Sequence, residues 1–451
     1  MSDALGTAKF FIEGDKLKEA RTVLDLVYPY ATTVEQLDAL GHAYSQAKGW
    51  EKCGDIASRL YFSLEEPRKS FARNSRINAY INLNQPDAAL ELIEEQESVN
   101  FNRNKKEFSV DDQVNLGLQK AMALFMMNKK GDSEKVLNTI SKNYLLTEAQ
   151  RCSIVFNMAT HKIANGHFKE GLRDFILVGR QLGIWKKSSL PPMQQWTGQT
   201  LSTGQKILIV AEGGIGDEII NFRFCENLKR QGYVPYWYTE REDLAKVFVR
   251  HGVPCITSQK HLNQVFDLTW RWTYSMSLPV YLEVFSHMLW NGPYLTPKST
   301  TTTLLPLNGI KIGLKSCGNP EYEHNLHRAV PRIDMFTALL KNSNPTRQTY
   351  WFDEDSSIWK DIKDDWEVTL DYINQMDVIV TSCTSLAHAA GAMGKETLVL
   401  VPIMNYYVWA SPGETSPWYG NNVKLFRQTK PNCWEEPLKQ VADYIDKNYK
   451  T

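Results

Sequence analysis

The residues best suited to bind an anion stand between two apolar runs in the carboxyl-terminal half of the chain. Thr384 and Ser385 follow the apolar run 378–380, and His388 lies about one helical turn further on. This order predicts a buried parallel strand, a tight turn, a small-residue helix over 386–393 and another strand. Phosphates bind at the carboxyl ends of such strands, where the following helix offers free N–H groups. The turn is therefore expected to hold an anionic ligand, although the same residues could merely cap a buried helix.

A glycine-rich loop forms a second candidate site. Gly214 and Gly216 follow the apolar run 207–210, and Asp217 stands where a helix is expected to begin. The glycines would permit close approach of a ligand to the backbone. A loop of this kind often serves only to turn the chain, and Asp is a common N-cap residue. Spacing alone leaves both interpretations open.

Four segments, in register, resemble the heptosyltransferase-like glycosyltransferases, especially the bacterial proteins that place tetratricopeptide repeats before the catalytic region. The matching segments are Ala211-Glu-Gly-Gly-Ile-Gly-Asp217, Gly318-Asn-Pro320 with Arg328, the run from Thr384 to Gly394, and Ser416-Pro-Trp-Tyr419 with Leu425-Phe-Arg-Gln428. Together they cover about residues 206–434. One position departs from the family pattern, because Cys383 stands where the family usually has Asp.

The resemblance implies a GT-B fold, in which two Rossmann-like α/β halves hold a nucleoside-diphosphate sugar between them. It also implies an inverting, metal-independent transfer of the sugar to an acceptor hydroxyl. A general base is needed, because a neutral hydroxyl is a poor nucleophile toward an anomeric carbon. Asp217 matches the family position that faces the acceptor and is the first candidate. Glu212 is the second.

The donor side requires groups that stabilise the charge of the departing nucleoside diphosphate. Helix-start N–H groups and cationic side chains can do this without a metal, and no cofactor besides the donor substrate is expected. The expected donor ligands are Gly214, Gly216, Lys315, Asn319, Arg328, Thr384, Ser385 and His388. Alternatively, His388 could be a helix histidine bonded to a neighbouring carbonyl, and Arg328 an exposed charge. The acidic residues 353–355 are interpreted as a solvated turn, so no metal site is predicted.

Composition indicates a soluble globular protein of two or three domains. The 451 residues are 43% hydrophobic and 23% charged, with 51 basic and 51 acidic side chains. The balanced charge gives no global attraction to nucleic acid, although a local basic groove would not show in the sum. Seven scattered Cys without a Cys-x-x-Cys pair indicate a reducing compartment. No signal peptide or membrane-spanning run is recognised, so a cytoplasmic location is expected.

Helical periodicity with internal repetition marks the first part of the chain. A large residue precedes a small one by nine positions three times, in the pairs Phe11 with Ala20, Tyr44 with Cys53 and Tyr80 with Ala89. The first residues of the pairs are 33 and 36 positions apart, close to the tetratricopeptide period of about 34 residues. Such an array could hold a peptide or protein in its groove, or could only support the catalytic region.

The predicted fold class is therefore an N-terminal tetratricopeptide-like α-helical array followed by a GT-B pair of α/β halves. Prolines and glycines mark a linker, and a Thr-rich connector at 292–303 separates the halves. The expected regions are helical repeats over 1–185, a linker over 186–204, an acceptor-side half over 205–300 and a nucleotide-side half over 301–451. In the first half, strands are predicted at 207–210, 234–238 and 265–270 and helices at 217–231, 244–251 and 278–289; in the second, a strand begins at 310.

The acceptor is left open by the sequence and could be a protein, a glycan or a modified nucleic-acid base. A non-catalytic alternative also remains, in which the repeats bind a protein and the GT-B half has decayed. Cys383 and Ser385 in the predicted nucleotide turn favour that alternative. If the chain is active, we expect Cys383 to alter the choice of donor sugar, since a neutral thiol replaces a charged carboxylate.

Overall fold

The computed structural model describes residues 1–65, 68–102, 109–184, 192–285, 288–299, 304–306, 308–320, 322, 324–340 and 346–449. The backbone separates into two compact units. The first comprises Met1–Ile154, Glu321–His327 and Lys430–Asn432, and the second comprises Val155–Pro320, Arg328–Thr429 and Cys433–Thr451. Residues 186–191 of the expected linker and 300–303 of the expected connector lie outside the described residues.

The first unit is built from helices that pack on their neighbours in sequence. They are α1 (Ser2–Glu13), α2 (Leu17–Val27), α3 (Val34–Gln46), α4 (Trp50–Ser63), α5 (Arg68–Asn82), α6 (Pro86–Asn102), α7 (Val110–Met126), α8 (Lys130–Asn143) and the start of α9 (Glu148–Ala164). The small residues Ala20, Cys53 and Ala89 are buried between helices. The helical character predicted for this region is therefore observed, while its assignment to the tetratricopeptide repeats remains a prediction.

A five-stranded parallel sheet opens the second unit. Its strands are β1 (Gln194–Gln195), β2 (Lys206–Val210), β3 (Val234–Tyr238), β4 (Cys255–Ile256) and β5 (Arg271–Tyr274), in the order β1-β5-β2-β3-β4. The accompanying helices are α10 (Phe168–Arg173), α11 (Gly179–Gln181), α12 (Ile215–Phe222), α13 (Phe224–Arg230), α14 (Glu242–Arg250), α15 (Gln259–Val265) and α16 (Leu278–Tyr281), with a π-helix at Asp174–Val178 between α10 and α11.

A second sheet of six strands completes this unit. Its strands are β6 (Ile310–Lys315), β7 (Arg347–Trp351), β8 (Val378–Ser382), β9 (Thr397–Val401), β10 (Thr415–Ser416) and β11 (Gly420–Arg427), in the order β10-β11-β9-β8-β6-β7. All neighbours are parallel except β10 and β11. The helices in this part of the chain are α17 (Asn325–Arg328), of which only Arg328 belongs to the second unit, α18 (Arg332–Leu340), α19 (Trp359–Ile362), α20 (Trp366–Gln375), α21 (Ser385–Ala392) and α22 (Glu435–Asn448).

The two sheets share one continuous core. Buried side chains from both, among them Ile209 and Val399, belong to a single hydrophobic cluster. The central strands β8 and β9 are buried at every position, which explains why their apolar residues form the continuous runs 378–380 and 398–401 rather than alternating with polar ones. Among the described residues, no helix combines the length and apolar character required to cross a bilayer.

Two elements of the first sheet differ from the sequence prediction. The strand expected at 265–270 is wrong, because the chain turns there and β5 begins only at Arg271. The Asp267 side chain accepts a hydrogen bond from the Thr269 N–H at 2.7 Å, which forms the turn. The helix expected at 278–289 ends at Tyr281, since Glu283 adopts a left-handed conformation with φ of 53° that a right-handed helix cannot continue.

Three further details differ from the sequence interpretation. Asp353, expected in a solvated turn, is only 5% exposed and accepts hydrogen bonds from the N–H and hydroxyl of Ser316. The short strand β1 falls within the region expected to be a linker and pairs in parallel with β5. The helix expected at 217–231 is divided at Arg223 into α12 and α13.

Candidate active site

Two helices that begin at the carboxyl ends of strands from different sheets pack against each other. Helix α12 follows β2, and α21 follows β8. They meet at Gly216, where an added Cβ would lie 2.6 Å from Cδ2 of His388. Only glycine permits this separation without displacing the histidine. The residues predicted at the glycine loop and at the Thr384–Ser385 turn are thereby brought together.

Asp217 lies in the first turn of α12, with both carboxylate oxygens engaged. Oδ2 accepts a hydrogen bond from the Gly214 N–H at 2.8 Å, and Oδ1 accepts one from the Tyr406 hydroxyl at 2.9 Å. Burial raises the pKa of Asp217, and these two hydrogen bonds partly oppose the shift. Sequence reasoning missed Tyr406, which is 189 positions away in the chain.

Glu212, the second candidate base, is held in a buried ion pair. Its carboxylate accepts hydrogen bonds from Nε and Nη2 of Arg180 at 3.1 and 2.6 Å. The same guanidinium lies over the Tyr274 ring at 4.4 Å. Burial raises the pKa of Glu212, and the Arg180 charge opposes that shift. Glu212 is only 4% exposed, whereas Asp217 is half-buried, so Glu212 is less accessible to an acceptor than Asp217.

The buried carboxylate of Glu218 is connected to the glycine loop through Arg241. Glu218 is fully buried and accepts hydrogen bonds from Trp237 Nε1 at 3.0 Å, from Thr239 Oγ1 at 3.1 Å and from Arg241. Arg241 Nη2 also donates to the Gly213 carbonyl at 3.3 Å. The loop is thus fixed by a polar network whose members are distant in sequence, so no local motif could reveal it.

His388 is a buried side chain in contact with two aromatic residues. Its Nδ1 lies 2.9 Å from the Tyr419 hydroxyl, and its ring stacks on Trp409 at 4.9 Å. Burial lowers the pKa of His388 to about 3, and the charges of Arg223 and Arg328 add to the shift. Within the described part of the chain, Nε2 makes no hydrogen bond, and it lies 3.4 Å from the position that a Cβ on Gly216 would occupy.

The depressed pKa of His388 predicts a pH-dependent stability. Between about pH 6.5 and pH 3, His388 binds a proton in the unfolded chain but not in the folded chain. The free energy of unfolding therefore falls as the pH is lowered from about 6.5 toward 3. The contribution approaches roughly 1.4 kcal/mol per pH unit. Denaturant unfolding at several pH values should show this loss in the wild type and a smaller one in His388→Gln. Equal slopes in both proteins would show that folding does not lower the pKa of His388.

The turn before α21 is arranged differently from a simple side-chain cap. Thr384 Oγ1 lies 3.0 Å from Thr381 Oγ1 and makes no capping hydrogen bond to the helix. Ser385 is half-buried at the first helical position. The Cys383 thiol donates to the Leu400 carbonyl at 3.6 Å, and burial raises its pKa to about 12. The first-turn N–H groups of α21 are therefore left without a side-chain cap, next to a neutral thiol.

The two cations expected at this turn have different surroundings. Arg328 Nη1 donates to the Cys383 carbonyl at 2.8 Å, so its charge lies at the turn itself. Lys315 Nζ instead donates to the Phe352 carbonyl at 2.8 Å and lies 3.5 Å from Oδ1 of Asp353. Asn319 is exposed on the loop that follows β6. Of these residues, Arg328 is the one whose charge is placed to meet an anion at α21.

Arg223, between α12 and α13, was not predicted to have a role. Its Nε donates to the Ile220 carbonyl at 2.9 Å, and Nη2 donates to the Tyr294 hydroxyl at 2.9 Å. Nη1 donates to the Leu289 carbonyl at 2.8 Å and to the Trp418 carbonyl. Because Trp418 lies between β10 and β11, one buried guanidinium links the helices of the first sheet to a segment of the second sheet.

Comparisons with known proteins returned structural likeness only. No protein-family model and no curated protein matches the sequence. The chain is similar in structure to E. coli heptosyltransferase WaaC with ADP, at 11% identity and a TM-score of 0.35, over 54% of this chain and all of that one. It is also similar to a mutant Thermobaculum terrenum O-GlcNAc transferase, at 11% identity and a TM-score of 0.33, over 92% of this chain and 90% of that one. At these scores the residue roles must come from the contacts within this chain.

Proposed function

We propose that this chain is an inverting, metal-independent glycosyltransferase that moves a sugar from a nucleoside-diphosphate sugar to an acceptor hydroxyl. The observation that carries the proposal is the approach of α12 to α21, with Asp217 at the start of one helix and Ser385 at the start of the other. Ligands of open parallel sheets bind outside the carboxyl ends of the strands. Two such ends meet here, an arrangement compatible with the GT-B fold that the sequence motifs resemble.

The diphosphate is assigned to the start of α21. The N–H groups of the first turn carry the positive end of the helix dipole and have no side-chain cap. The Arg328 guanidinium, bonded to the Cys383 carbonyl, adds a full positive charge beside them. Together they would stabilise the charge that develops on the departing nucleoside diphosphate. The neutral Cys383 thiol adds no opposing charge.

His388 is assigned to hydrogen bonding rather than to proton transfer. With its pKa lowered to about 3, the imidazole is uncharged near neutral pH. When the Tyr419 hydroxyl donates to Nδ1, the ring hydrogen resides on Nε2, which can then donate to a phosphate or sugar oxygen. Its stacking on Trp409 fixes the direction of that donor.

Asp217 is assigned as the general base. In the proposed reaction the acceptor oxygen forms a bond to the anomeric carbon as its proton passes to the Asp217 carboxylate. The bond between the anomeric carbon and the phosphate oxygen breaks, and its electron pair leaves with the nucleoside diphosphate. The raised pKa of Asp217 supports this role, because a base is more effective when its pKa approaches the working pH.

Removing the positive charge at the turn should weaken donor binding. We expect Arg328→Met to reduce nucleoside-diphosphate affinity by roughly 10- to 150-fold, as for the loss of a charge-assisted hydrogen bond worth about 1.5–3 kcal/mol. Calorimetric titration measures this directly. Arg332→Met is the matched control. Arg332 is on the next helix, α18, and its guanidinium lies over the Trp351 ring of β7. Unchanged affinity in Arg328→Met would remove Arg328 from the donor site.

A non-catalytic role is the second candidate function. It is favoured by one observation: the carboxylates of both candidate bases already accept hydrogen bonds from protein groups. In that case the helical unit would bind a protein and the α/β unit would only support it. Incubation with a mixture of sugar nucleotides and cell extract, followed by mass spectrometry, separates the two, because only an enzyme adds a sugar mass to a protein, glycan or nucleic acid.

A further inference from the structure

We propose that Tyr406 is the positioning residue of the candidate base: its hydroxyl fixes the Asp217 carboxylate from the opposite sheet and holds it in the ionised form that can accept a proton. The inference rests on the proposed function and deepens it. Asp217 follows β2 of the first sheet, whereas Tyr406 lies in the segment after β9 of the second. The hydrogen bond of 2.9 Å between them therefore joins the two halves at the reacting carboxylate.

The two hydrogen bonds to Asp217 have different roles. One orients the carboxylate, and the other stabilises its negative charge. The Gly214 N–H holds Oδ2 and closes the first turn of α12, a bond within the same loop. The Tyr406 hydroxyl donates to Oδ1, and a donor of this kind stabilises the charged carboxylate over the neutral acid. A carboxylate oxygen accepts more than one hydrogen bond, so Oδ1 can hold Tyr406 and still receive the acceptor proton.

Tyr406 is itself held by aromatic neighbours. Its ring lies 5.7 Å from Phe175 at an interplanar angle of 80° and 4.5 Å from Tyr407 at 64°. Phe175 belongs to the π-helix at Asp174–Val178, and such irregular turns are frequent at functional sites. Since the ring is fixed by packing, removal of the hydroxyl alone should leave its position unchanged.

Other charged groups also face Asp217, and the test must allow for them. The positive charges of Arg241 and Arg328 favour its ionised form, as the Tyr406 hydrogen bond does. Glu212 lies on the same loop, and its negative charge repels that of Asp217. The Asp217 charge also contributes to the raised pKa of the Tyr407 hydroxyl. Tyr406→Phe changes none of these residues, so any shift it causes belongs to the lost hydroxyl.

The first experiment compares pH–rate profiles of wild type and Tyr406→Phe. The pKa of Asp217 should rise when the hydroxyl is lost, so the acidic limb of kcat should move to higher pH by about one to two units. The variant should be about 10- to 100-fold slower on that limb and within a few-fold of wild type on the plateau, with nucleotide affinity unchanged. Tyr236→Phe, whose ring packs on Trp270 at 4.5 Å, is the remote control. Superimposed profiles, or an equal loss at every pH, would overturn the inference.

A second experiment does not depend on turnover. The free energy of unfolding is measured for wild type, Tyr406→Phe, Asp217→Asn and the double variant, at about pH 4 and pH 8. The coupling between the two residues should be greater at the higher pH, where Asp217 is ionised. If coupling is absent, the inference on Tyr406 fails whatever the activity. If coupling is present but wild type transfers no sugar with any donor, the proposed function fails and the link between Tyr406 and Asp217 stands.

Discussion

Asp217→Asn is expected to reduce sugar transfer by about two to four orders of magnitude while donor affinity stays nearly unchanged. The amide has almost the same shape as the carboxylate and can still accept the Gly214 N–H, so the start of α12 is preserved. It cannot accept the proton of the acceptor hydroxyl. Steady-state kinetics with calorimetric titration of the donor nucleotide would separate the loss of chemistry from a loss of binding.

The matched control for this substitution is another capping aspartate. Asp365 is the N-cap residue of α20, and its side chain accepts hydrogen bonds from the N–H groups of Glu367 and Val368 at 2.9 and 3.1 Å. Asp365→Asn should leave transfer within a few-fold of wild type. If Asp217→Asn weakened binding and turnover equally, Asp217 would be a helix cap and not a base.

Arg223→Met is expected to lower the free energy of unfolding by about 3–5 kcal/mol. Methionine can fill much of the space, but the carbonyls of Ile220, Leu289 and Trp418 would lose their donor. Each buried acceptor left without a partner costs about 1–3 kcal/mol. Chemical denaturation followed by circular dichroism measures the change.

An exposed arginine provides the comparison for Arg223. Arg230 on α13 pairs with Glu226 at 3.1 Å, and its side chain is 65% exposed. Arg230→Met should change the free energy of unfolding by less than about 1 kcal/mol, the usual range for surface ion pairs. A similarly small change in Arg223→Met would mean that water replaces the guanidinium as the donor.

The strands and turns that form the site could be predicted because local sequence determines them. The apolar runs at β2, β3 and β8 and the small-residue helix α21 were placed within a few residues of their observed bounds. The shift of β5 could not be foreseen from apolar content, since residues 265–270 are also hydrophobic and only the Asp267 turn sets the strand start. Likewise, Asp353 is polar in sequence but buried, because Ser316 donates hydrogen bonds to its carboxylate and the Lys315 charge lies 3.5 Å from it.

The contacts that complete the candidate site could not be predicted from the sequence, for a different reason. Asp217 and His388 carry recognisable chemistry, so their types and positions singled them out. Tyr406, Arg180 and Arg223 are ordinary in type and lie far along the chain from the groups they bind. Their roles depend on how the two sheets meet, and no local pattern encodes that arrangement.

The central claim, that the start of α21 holds the diphosphate of a donor nucleotide, is tested most directly by calorimetric titration of the full chain. A panel of the diphosphates of uridine, guanosine, adenosine, cytidine and thymidine would be titrated into wild type and Arg328→Met. The account predicts saturable binding of at least one nucleotide by wild type and clearly weaker binding of the same nucleotide by the variant. Failure of every nucleotide to bind the folded wild-type chain would contradict the account and favour the non-catalytic role.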